Sequence, residues 1–340
     1  MIYFRSDYSL GAHPKVMDAL TATNLEHTDG YSEDKFSFET ADMIKEMIGK
    51  PDANVHFMVG GTPTNTITIA AALRPYEGVI SPASGHIYVH ETGSVEATGH
   101  RIFAAPTPDG KLRPADIEKV LLHHEDEHTV IPKMVYITHP TENGGVYTKA
   151  EFKALYECCR KNNLYFYMDG ARLGTALTWP GNDLSLKDIA SMCDAFYIGG
   201  TKIGVLFGEA LVIMNESIND HFRYMIKRAG VLLAKGRLIA VQLKALFEGG
   251  EDSLYYQLSK HENRLAIKLA KGIEGKGYKL WLPHQTNQVF VILPNEKIAE
   301  LEKDFFFYTW TPFDEANSVI RLVIGWGSTD EDVDAILAAL

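Results

Sequence analysis

The chain has few cysteines, and none of them has the spacing that cysteine chemistry needs. Among its 340 residues there are three: Cys158 and Cys159 are adjacent, and Cys193 lies far from them. No Cys-x-x-Cys pair occurs, which excludes a disulfide framework and a zinc ribbon. This composition fits a reducing compartment, so we expect a cytoplasmic location.

Long apolar runs and excess positive charge are also missing. The longest apolar stretch, Ile203–Met214, is interrupted by Glu209 and is too short to span a bilayer. Arg5 and Asp7 lie where a signal peptide needs its apolar run. The 33 basic side chains are outnumbered by 44 acidic ones, giving a formal net charge of −11. Nucleic-acid binding depends on clustered Lys and Arg, so we expect neither a nucleic acid nor a membrane as a partner.

Short apolar runs that alternate with helix-length segments predict an α/β fold with a seven-stranded, mostly parallel sheet. The predicted strands are Val55–Val59, Val79–Ser81, Ile102–Ala104, Val130–Thr138, Leu164–Met168, Ala195–Gly199 and Ala210–Met214. Only ten residues separate the last two strands. A helical crossover does not fit into that length, so one of these two strands should run antiparallel.

The second half of the chain predicts a smaller unit. A long helix is expected over 216–247, ended by Gly249 and Gly250. We therefore divide the chain into a large domain with an N-terminal arm, residues 1–250, and a small α/β domain, residues 251–340. The elements expected in the small domain are helices His261–Ile273, Asn295–Lys303 and Thr329–Leu340, strands Gln288–Leu293 and Ser318–Ile324, and a core strand at Phe305–Tyr308.

Two of four notable features lie directly at strand ends, where ligands collect in open α/β sheets. Gly60-Gly61-Thr62 follows a strand and opens a helix, so its backbone N–H groups can bind a phosphate, although an ordinary turn explains the same pattern. Asp169 ends the aromatic strand, where it is either a helix N-cap or a paired buried carboxylate.

The other two features are cationic side chains in apolar surroundings. Lys202 follows a buried strand among glycines, and desolvation there would lower the pKa of its amine, as formation of an imine requires. The alternative is a surface lysine at a tight turn. Arg321 lies within an apolar strand, either as an edge-strand residue or as a planar fork for a carboxylate.

These four features together are the parts needed to hold pyridoxal phosphate. On this interpretation, the Gly-rich turn binds the phosphate and Lys202 holds the aldehyde as an imine. Asp169 keeps the pyridine nitrogen protonated, so that the ring can withdraw electrons.

At this point the sequence resembles the threonine aldolase/β-eliminating lyase family of pyridoxal-phosphate enzymes, which has the aspartate-aminotransferase-like fold. The motifs that carry the resemblance are Arg5-Ser6-Asp7, Tyr31-Ser32-Glu33-Asp34, Gly60-Gly61-Thr62-Pro63-Thr64-Asn65, Ser84-Gly85-His86-Ile87 with Glu91, Asp169-Gly170-Ala171-Arg172, Thr201-Lys202 and Ile320-Arg321-Leu322-Val323. The stretch Ile137–Gly145 stands where well-known threonine aldolases carry Glu-Asn-Thr-His-Asn, in a loop that borders the substrate.

The resemblance implies a role for individual residues. His86 would stack on the cofactor ring, Asp169 would pair with the pyridine nitrogen and Lys202 would bind the aldehyde. Gly61 and Thr62 would bind the phosphate, helped by Lys227 or Arg228 of a neighbouring subunit. The implied substrate-binding residues are Ser6, Tyr31, Arg172 and Arg321. Arg172 would contact the cofactor as well.

The implied activity is cleavage of the Cα–Cβ bond of a β-hydroxy-α-amino acid of the L-threonine or L-allo-threonine type, giving glycine and an aldehyde. His86 is the candidate base for the hydroxyl proton. The alternative in the same class is β-elimination, which releases ammonia and a 2-oxo acid. The implied assembly is a homodimer or homotetramer with the active site at the subunit interface.

One polar segment invites a different interpretation. Residues 123–128 read His-His-Glu-Asp-Glu-His, a composition seen in metal sites. No second cluster lies at a matching spacing, and a polar loop before a strand explains the composition. We therefore predict no metal site.

Overall fold

The fold is described from a computed structural model, and the description covers residues 1–122, 124 and 126–340. The strands are β1 (Ile2–Tyr3), β2 (Asn54–Met58), β3 (Glu77–Pro82), β4 (Arg101–Ala105), β5 (Ile131–Thr138), β6 (Tyr165–Asp169), β7 (Ala195–Gly199), β8 (Glu209–Ile213), β9 (Lys279–Leu280), β10 (Gln288–Pro294), β11 (Phe305–Phe306), β12 (Tyr308–Pro312) and β13 (Asn317–Val323).

The helices separate these strands along the chain. They are α1 (Pro14–Thr23), α2 (Lys35–Ile48), α3 (Gly61–Ala72), α4 (His86–Val89), α5 (Pro114–Leu121), α6 (Lys149–Lys161), α7 (Leu173–Leu177), α8 (Leu186–Met192), α9 (Glu216–Asn219), α10 (Phe222–Arg228), α11 (Arg237–Phe247), α12 (Leu254–Gly275), α13 (Asn295–Leu301) and α14 (Asp330–Ala339), with short 3-10 turns at Glu96–Thr98 and Gly250–Asp252. Among the described residues, no helix combines the length and apolar character needed to cross a membrane.

The large sheet confirms the predicted α/β architecture. Its seven strands lie in the order β2-β8-β7-β6-β5-β3-β4. Strands β7, β6, β5, β3 and β4 pair in parallel, whereas β8 is antiparallel to both β7 and β2. The prediction of one antiparallel strand is therefore confirmed, and the short β7–β8 connection is its cause.

Helix α6 shows how local sequence builds the layers that cover the sheet. Thr148 and Glu151 form a capping box that satisfies N–H groups of the first turn. One face of the helix buries Phe152, Leu155 and the adjacent Cys158 and Cys159 in the core. All three cysteines of the chain are free and buried.

The long helix predicted over 216–247 is wrong. Three separate helices, α9, α10 and α11, occupy this region. His221 and Gly230 adopt the left-handed conformation, at φ 53° and φ 79°, and this conformation interrupts a right-handed helix. The apolar spacing continues across these breaks, so periodicity alone does not reveal them.

A smaller antiparallel sheet, in the order β12-β13-β10-β9, forms its own core with α12, α13 and α14. The predicted core strand Phe305–Tyr308 is divided in the structure. Phe305 and Phe306 pair in parallel with β1 as a separate two-stranded sheet, and Tyr308 begins β12. The domain division at residue 250 stays a prediction.

Candidate active site

Most of the predicted site residues lie at one edge of the large sheet. The parallel strands β3, β5, β6 and β7 end there. Asp169 is the last residue of β6, and the connections after β3, β5 and β7 carry His86, Glu142 and Lys202. The small sheet faces this edge and contributes Arg321 from β13. Carboxyl ends of parallel strands form the usual ligand-binding edge of an α/β sheet.

Asp169 forms the buried floor of the site and is 1% exposed. Its Oδ1 accepts from the Tyr197 hydroxyl at 2.5 Å and the Ala171 N–H at 3.0 Å. Its Oδ2 accepts from the Tyr136 hydroxyl at 2.7 Å and the Asn65 amide at 3.0 Å. Asp169 is therefore a paired buried carboxylate at the end of β6, because the N-cap of the next helix is Arg172.

The two tyrosines act as fixed donors to this carboxylate. Burial, reinforced by the charge of Asp169, raises the pKa of Tyr136 and of Tyr197 well above the usual value. Both hydroxyls therefore keep their protons. The Tyr167 hydroxyl donates to Asn65 Oδ1 at 2.8 Å, so the amide that reaches Asp169 is also fixed.

His86 lies at the start of α4 and is anchored by Glu91. The His86 Nδ1 and Glu91 Oε1 atoms are 2.7 Å apart, and the Asn65 amide and Ser94 hydroxyl also donate to the Glu91 carboxylate. Burial alone would lower the pKa of His86, but the hydrogen bond with Glu91 and the charges of Glu142 and Asp169 raise it above the usual value.

Lys202 lies in the turn between β7 and β8 and lines the site. Burial first, and the charge of Arg172 second, lower the pKa of Lys202. The turn is fixed because Glu209 Oε1 accepts from the Thr201 hydroxyl and Oε2 from the Gly200 N–H, both at 2.7 Å. Burial raises the pKa of Glu209 to about 7. Lys202 is thus a cavity amine and not a surface lysine.

The Gly-rich turn places the start of α3 against the same cavity. Gly60, Gly61 and Thr62 line it, and the first N–H groups of a helix have no partners within the helix. A Cβ on Gly61 would lie 2.9 Å from the Tyr197 hydroxyl, so only glycine fits between the turn and the Asp169 network.

Arg172 is held by a residue that sequence reasoning quoted but did not assign, Asp7. The Arg172 Nε donates to Asp7 Oδ2 at 2.5 Å and its Nη2 to Oδ1 at 3.1 Å. Burial opposes the charge of Asp7, but the Arg172 guanidinium holds the pKa of that carboxyl below its usual range. The pair fixes Arg172 beside Lys202 and leaves its Nη1 without a bond to Asp7.

Arg321 is buried, at 8% exposure, with weak partners. Its Nη1 and Nη2 contact Gln288 Oε1 and the Arg5 carbonyl, both at 3.4 Å, and its Nε has no hydrogen-bond partner within the described part of the chain. Burial, and then the charge of Arg172, lower the pKa of Arg321. Its strand β13 lies between β12 and β10, so the edge-strand alternative is wrong.

Two adjoining cavities connect these groups. The smaller, about 280 Å³, contains the Gly-rich turn, Asp169 and Glu209 in its wall. The larger, about 700 Å³, contains His90, Trp310 and Arg321. Five residues line both cavities: Tyr8, His86, Glu142, Arg172 and Lys202.

Four predicted residues do not line these two cavities in one chain. Ser6 lines a separate cavity beside Gly325 and Trp326. Tyr31 is exposed, with its ring centroid 4.3 Å from the Lys227 Nζ, and Arg228 is exposed next to it. The roles proposed for these four residues stay predictions.

Sequence reasoning missed the tyrosines that bind Asp169 and the aromatic side chains around Arg321. The Arg321 guanidinium lies 4.8 Å from the Trp310 ring centroid and 5.4 Å from that of Tyr308. The alternation of side chains along β12 was the available signal, because residues two apart share one face of a strand. The segment 123–128 cannot be compared, because His123 and Glu125 lie outside the described residues.

The residues present fit pyridoxal phosphate. The cavity has an amine of lowered pKa at Lys202, a fixed carboxylate at Asp169 and a helix start that glycine keeps open. This cofactor requires an amine that forms an imine, a partner for its ring nitrogen and a helix start that binds its phosphate.

Comparison with known proteins agrees with this chemistry. A sequence model of the family described as beta-eliminating lyase matches residues 3–296. The low specificity L-threonine aldolase of Pseudomonas aeruginosa is 31% identical over 337 residues, covering 98% of this chain and 94% of the relative. The low specificity L-threonine aldolase of Escherichia coli K12 is 26% identical, covering 95% of this chain and 93% of the relative.

Solved structures show the same similarity. A Leishmania major threonine aldolase superposes with a TM-score of 0.97 at 44% identity, covering 99% of this chain and 98% of the other. A Thermus thermophilus aspartate aminotransferase superposes with a TM-score of 0.74 at 15% identity, covering 100% and 90%, and this likeness concerns the fold alone. The protein thus belongs to the beta-eliminating lyase family, a pyridoxal-phosphate-dependent family with the aspartate-aminotransferase-like fold.

Proposed function

We propose that this protein cleaves the Cα–Cβ bond of β-hydroxy-α-amino acids of the L-threonine or L-allo-threonine type, releasing glycine and an aldehyde. The observation that carries the proposal is the arrangement of Arg321 and Lys202 around shared cavity walls. A buried guanidinium with only weak partners and an amine of lowered pKa line the same cavity, and an amino acid has a carboxylate for the first and an amino group for the second.

Each group has one task in this proposal. Arg321 and the Nη1 of Arg172, which is not bonded to Asp7, bind the substrate carboxylate, which orients the Cα–Cβ bond. Asp169, held by its tyrosine donors, would pair with the pyridine nitrogen, and His86 would lie against the ring. When bound, pyridoxal phosphate supplies an electron sink for the bond that breaks. The lowered pKa of Lys202 favours its neutral amine, the form that binds the cofactor aldehyde.

A product assay with purified holoenzyme tests the activity. L-threonine and L-allo-threonine should give glycine and acetaldehyde, and L-serine should give little pyruvate or ammonia. Stoichiometric ammonia and 2-oxo acid from these substrates, without glycine, would show that β-elimination is the principal reaction and would overturn the proposal.

We also propose a homodimer or homotetramer whose active site is completed by the neighbouring subunit. Tyr31, Lys227 and Arg228 are exposed and lie outside both cavities of their own chain, which supports a role toward a neighbour's phosphate and substrate. Sedimentation of the holoenzyme should show no active monomer, and Lys227→Ala with Arg228→Ala should weaken cofactor binding. A cytoplasmic location is part of the proposal and agrees with the three free, buried cysteines.

A further inference from the structure

The carboxylate of Glu142 lines the site and is not hydrogen-bonded to any residue that the structure describes. Glu142 is 6% exposed and lines both cavities. Within the part of the chain that the structure describes, its side chain makes no hydrogen bond and no ion pair. A buried charge of this kind is costly unless a ligand or another group pairs with it.

The backbone holds Glu142 in a fixed position. A tight turn forms where the Gly144 N–H donates to the Thr141 carbonyl at 2.8 Å and the Thr141 N–H donates to the Gly145 carbonyl at 2.8 Å. Gly144 adopts φ 80°, and a Cβ there would lie 3.2 Å from Thr286 Oγ1. The segment is tied to β6 because the His139 N–H donates to the Asp169 carbonyl at 2.8 Å.

The surroundings of Glu142 are basic. Its charge acts on His86, His90, Arg172, Lys202 and Arg321. Among the described residues, it is the one carboxylate that lines the larger cavity. A substrate carboxylate bound by the two arginines leaves Glu142 as the acidic side chain available to the other polar groups of the substrate.

A β-hydroxy amino acid needs an acceptor for its hydroxyl proton, and the histidines are less suited to this task. His86 Nδ1 already lies 2.7 Å from Glu91, and the raised pKa of His86 favours the protonated form, which cannot accept a proton. His90 lines only the larger cavity, whereas Glu142 also lines the smaller one beside Asp169.

We propose that Glu142 accepts the hydrogen bond of the substrate β-hydroxyl and takes its proton as the Cα–Cβ bond breaks. The proton moves from the hydroxyl oxygen to a Glu142 Oε, and the O–H electron pair becomes the second bond of the aldehyde carbonyl. The Cα–Cβ electron pair stays with the glycine fragment, whose Cα takes one proton from solvent, and Glu142 returns its proton to solvent, so that no net proton is gained or lost. This inference rests on the proposed function and replaces His86 as the hydroxyl base.

Two reactions of the holoenzyme separate this role from a structural one. Cleavage of L-threonine needs a hydroxyl-proton acceptor, whereas exchange of the glycine α-proton in D2O, followed by NMR, does not. Glu142→Gln should lower kcat for L-threonine by about 100-fold or more and leave glycine exchange unchanged, since general-base catalysis contributes about 10²–10⁴-fold. Glu142→Asp, which keeps a carboxylate, should recover part of the lost cleavage. Glu157→Gln, an exposed residue of α6, is the matched control and should change neither reaction.

Four outcomes would overturn the inference. The first is that Glu142→Gln cleaves L-threonine at the wild-type rate, and the second is that it loses cleavage and glycine exchange equally. The third is that Glu142→Asp recovers no cleavage. The fourth is that His90→Asn loses cleavage selectively while Glu142→Gln is unaffected. A wild-type protein that exchanges glycine but cleaves no β-hydroxy amino acid would instead refute the proposed function, and the role of Glu142 with it.

Discussion

The site has two sides: the ring side around Asp169 and the substrate side around Arg321 and Glu142. They differ in how completely the protein's own groups hydrogen-bond the charged side chains. On the ring side, Asp169 accepts four hydrogen bonds of 2.5–3.0 Å from fixed donors. On the substrate side, Arg321 makes two contacts of 3.4 Å and leaves its Nε without a partner among the described residues. Among the described residues, Glu142 on that side has no hydrogen-bond or ion-pair partner either.

This difference indicates what each side is built to do. A carboxylate with all its donors in place would need no movement to pair with a ring nitrogen, and such preorganised groups give the largest electrostatic effects in active sites. On the substrate side, burial and the charge of Arg172 disfavour the charged form of Arg321, so they lower its pKa. A substrate carboxylate between Arg172 and Arg321 would offset the repulsion between their positive charges. We therefore infer that the ligand completes this side.

The largest effect should come from Lys202, which faces both sides. Lys202→Ala should abolish turnover and remove the visible absorbance of the bound cofactor, because the substitution deletes the amine that binds the aldehyde. Lys187→Ala, at an exposed position of α8, is the control. Borohydride treatment followed by peptide mapping should find the cofactor on Lys202. An active, coloured Lys202→Ala protein would contradict the assignment.

Removal of the ring-side carboxylate should have the next largest effect. Asp169→Ala should retain some cofactor, since the phosphate contacts remain, and should lower kcat by about 10²–10³-fold or more through loss of a preorganised charge. Steady-state kinetics with saturating cofactor measures this. Near-native kcat in this variant would exclude Asp169 as the partner of the ring nitrogen.

A smaller effect, confined to the substrate side, is expected for Arg321→Lys. Lysine lacks the two parallel donors of a guanidinium, and a charge-assisted contact contributes about 1.5–3 kcal/mol, or roughly 10- to 100-fold. The KM for amino acids should rise by that factor, while cofactor affinity and absorbance stay unchanged. Arg264→Lys, at an exposed ion pair with Asp330, is the control. Loss of cofactor with normal KM would show that the roles of the two sides are reversed.

The smallest expected effects concern the free energy of unfolding, and one substitution on each side allows the two sides to be compared. Tyr136→Phe should lower the free energy of unfolding of the apo protein by about 1.5–3 kcal/mol, because it removes a hydrogen bond to a buried carboxylate. Arg321→Leu should lower it by less than about 1 kcal/mol, since its hydrogen bonds are long and mainly its contact with Trp310 is lost. Urea unfolding measures both, and the opposite order would contradict the comparison.

The sequence predicts most of the ring side and less of the substrate side. Asp169 ends one recognisable strand and Lys202 lies in the turn after another, and the parallel sheet brings such positions to one edge. The donors to Asp169 are different, because Tyr136 and Tyr197 lie inside β5 and β7 and reach the carboxylate only through strand order and register. Neither is readable from local patterns.

Two further features depended on tertiary structure. The central position of Arg321 between β12 and β10 follows from pairing over a long sequence distance. The pairing of Asp7 with Arg172 joins residues 165 positions apart. Local periodicity also failed over 216–247, where a left-handed residue at His221 and another at Gly230 divide the predicted helix.

A crystal structure of the holoenzyme with glycine bound would show whether the ligand completes the substrate side of the site, because glycine carries the carboxylate and cannot be cleaved. We expect the Arg321 guanidinium to bind the glycine carboxylate at about 2.7–2.9 Å. The hydrogen bonds of Asp169 with Tyr136 and Tyr197 should stay in place. A glycine carboxylate bound elsewhere, with Arg321 still on Gln288 and the Arg5 carbonyl, would contradict this expectation.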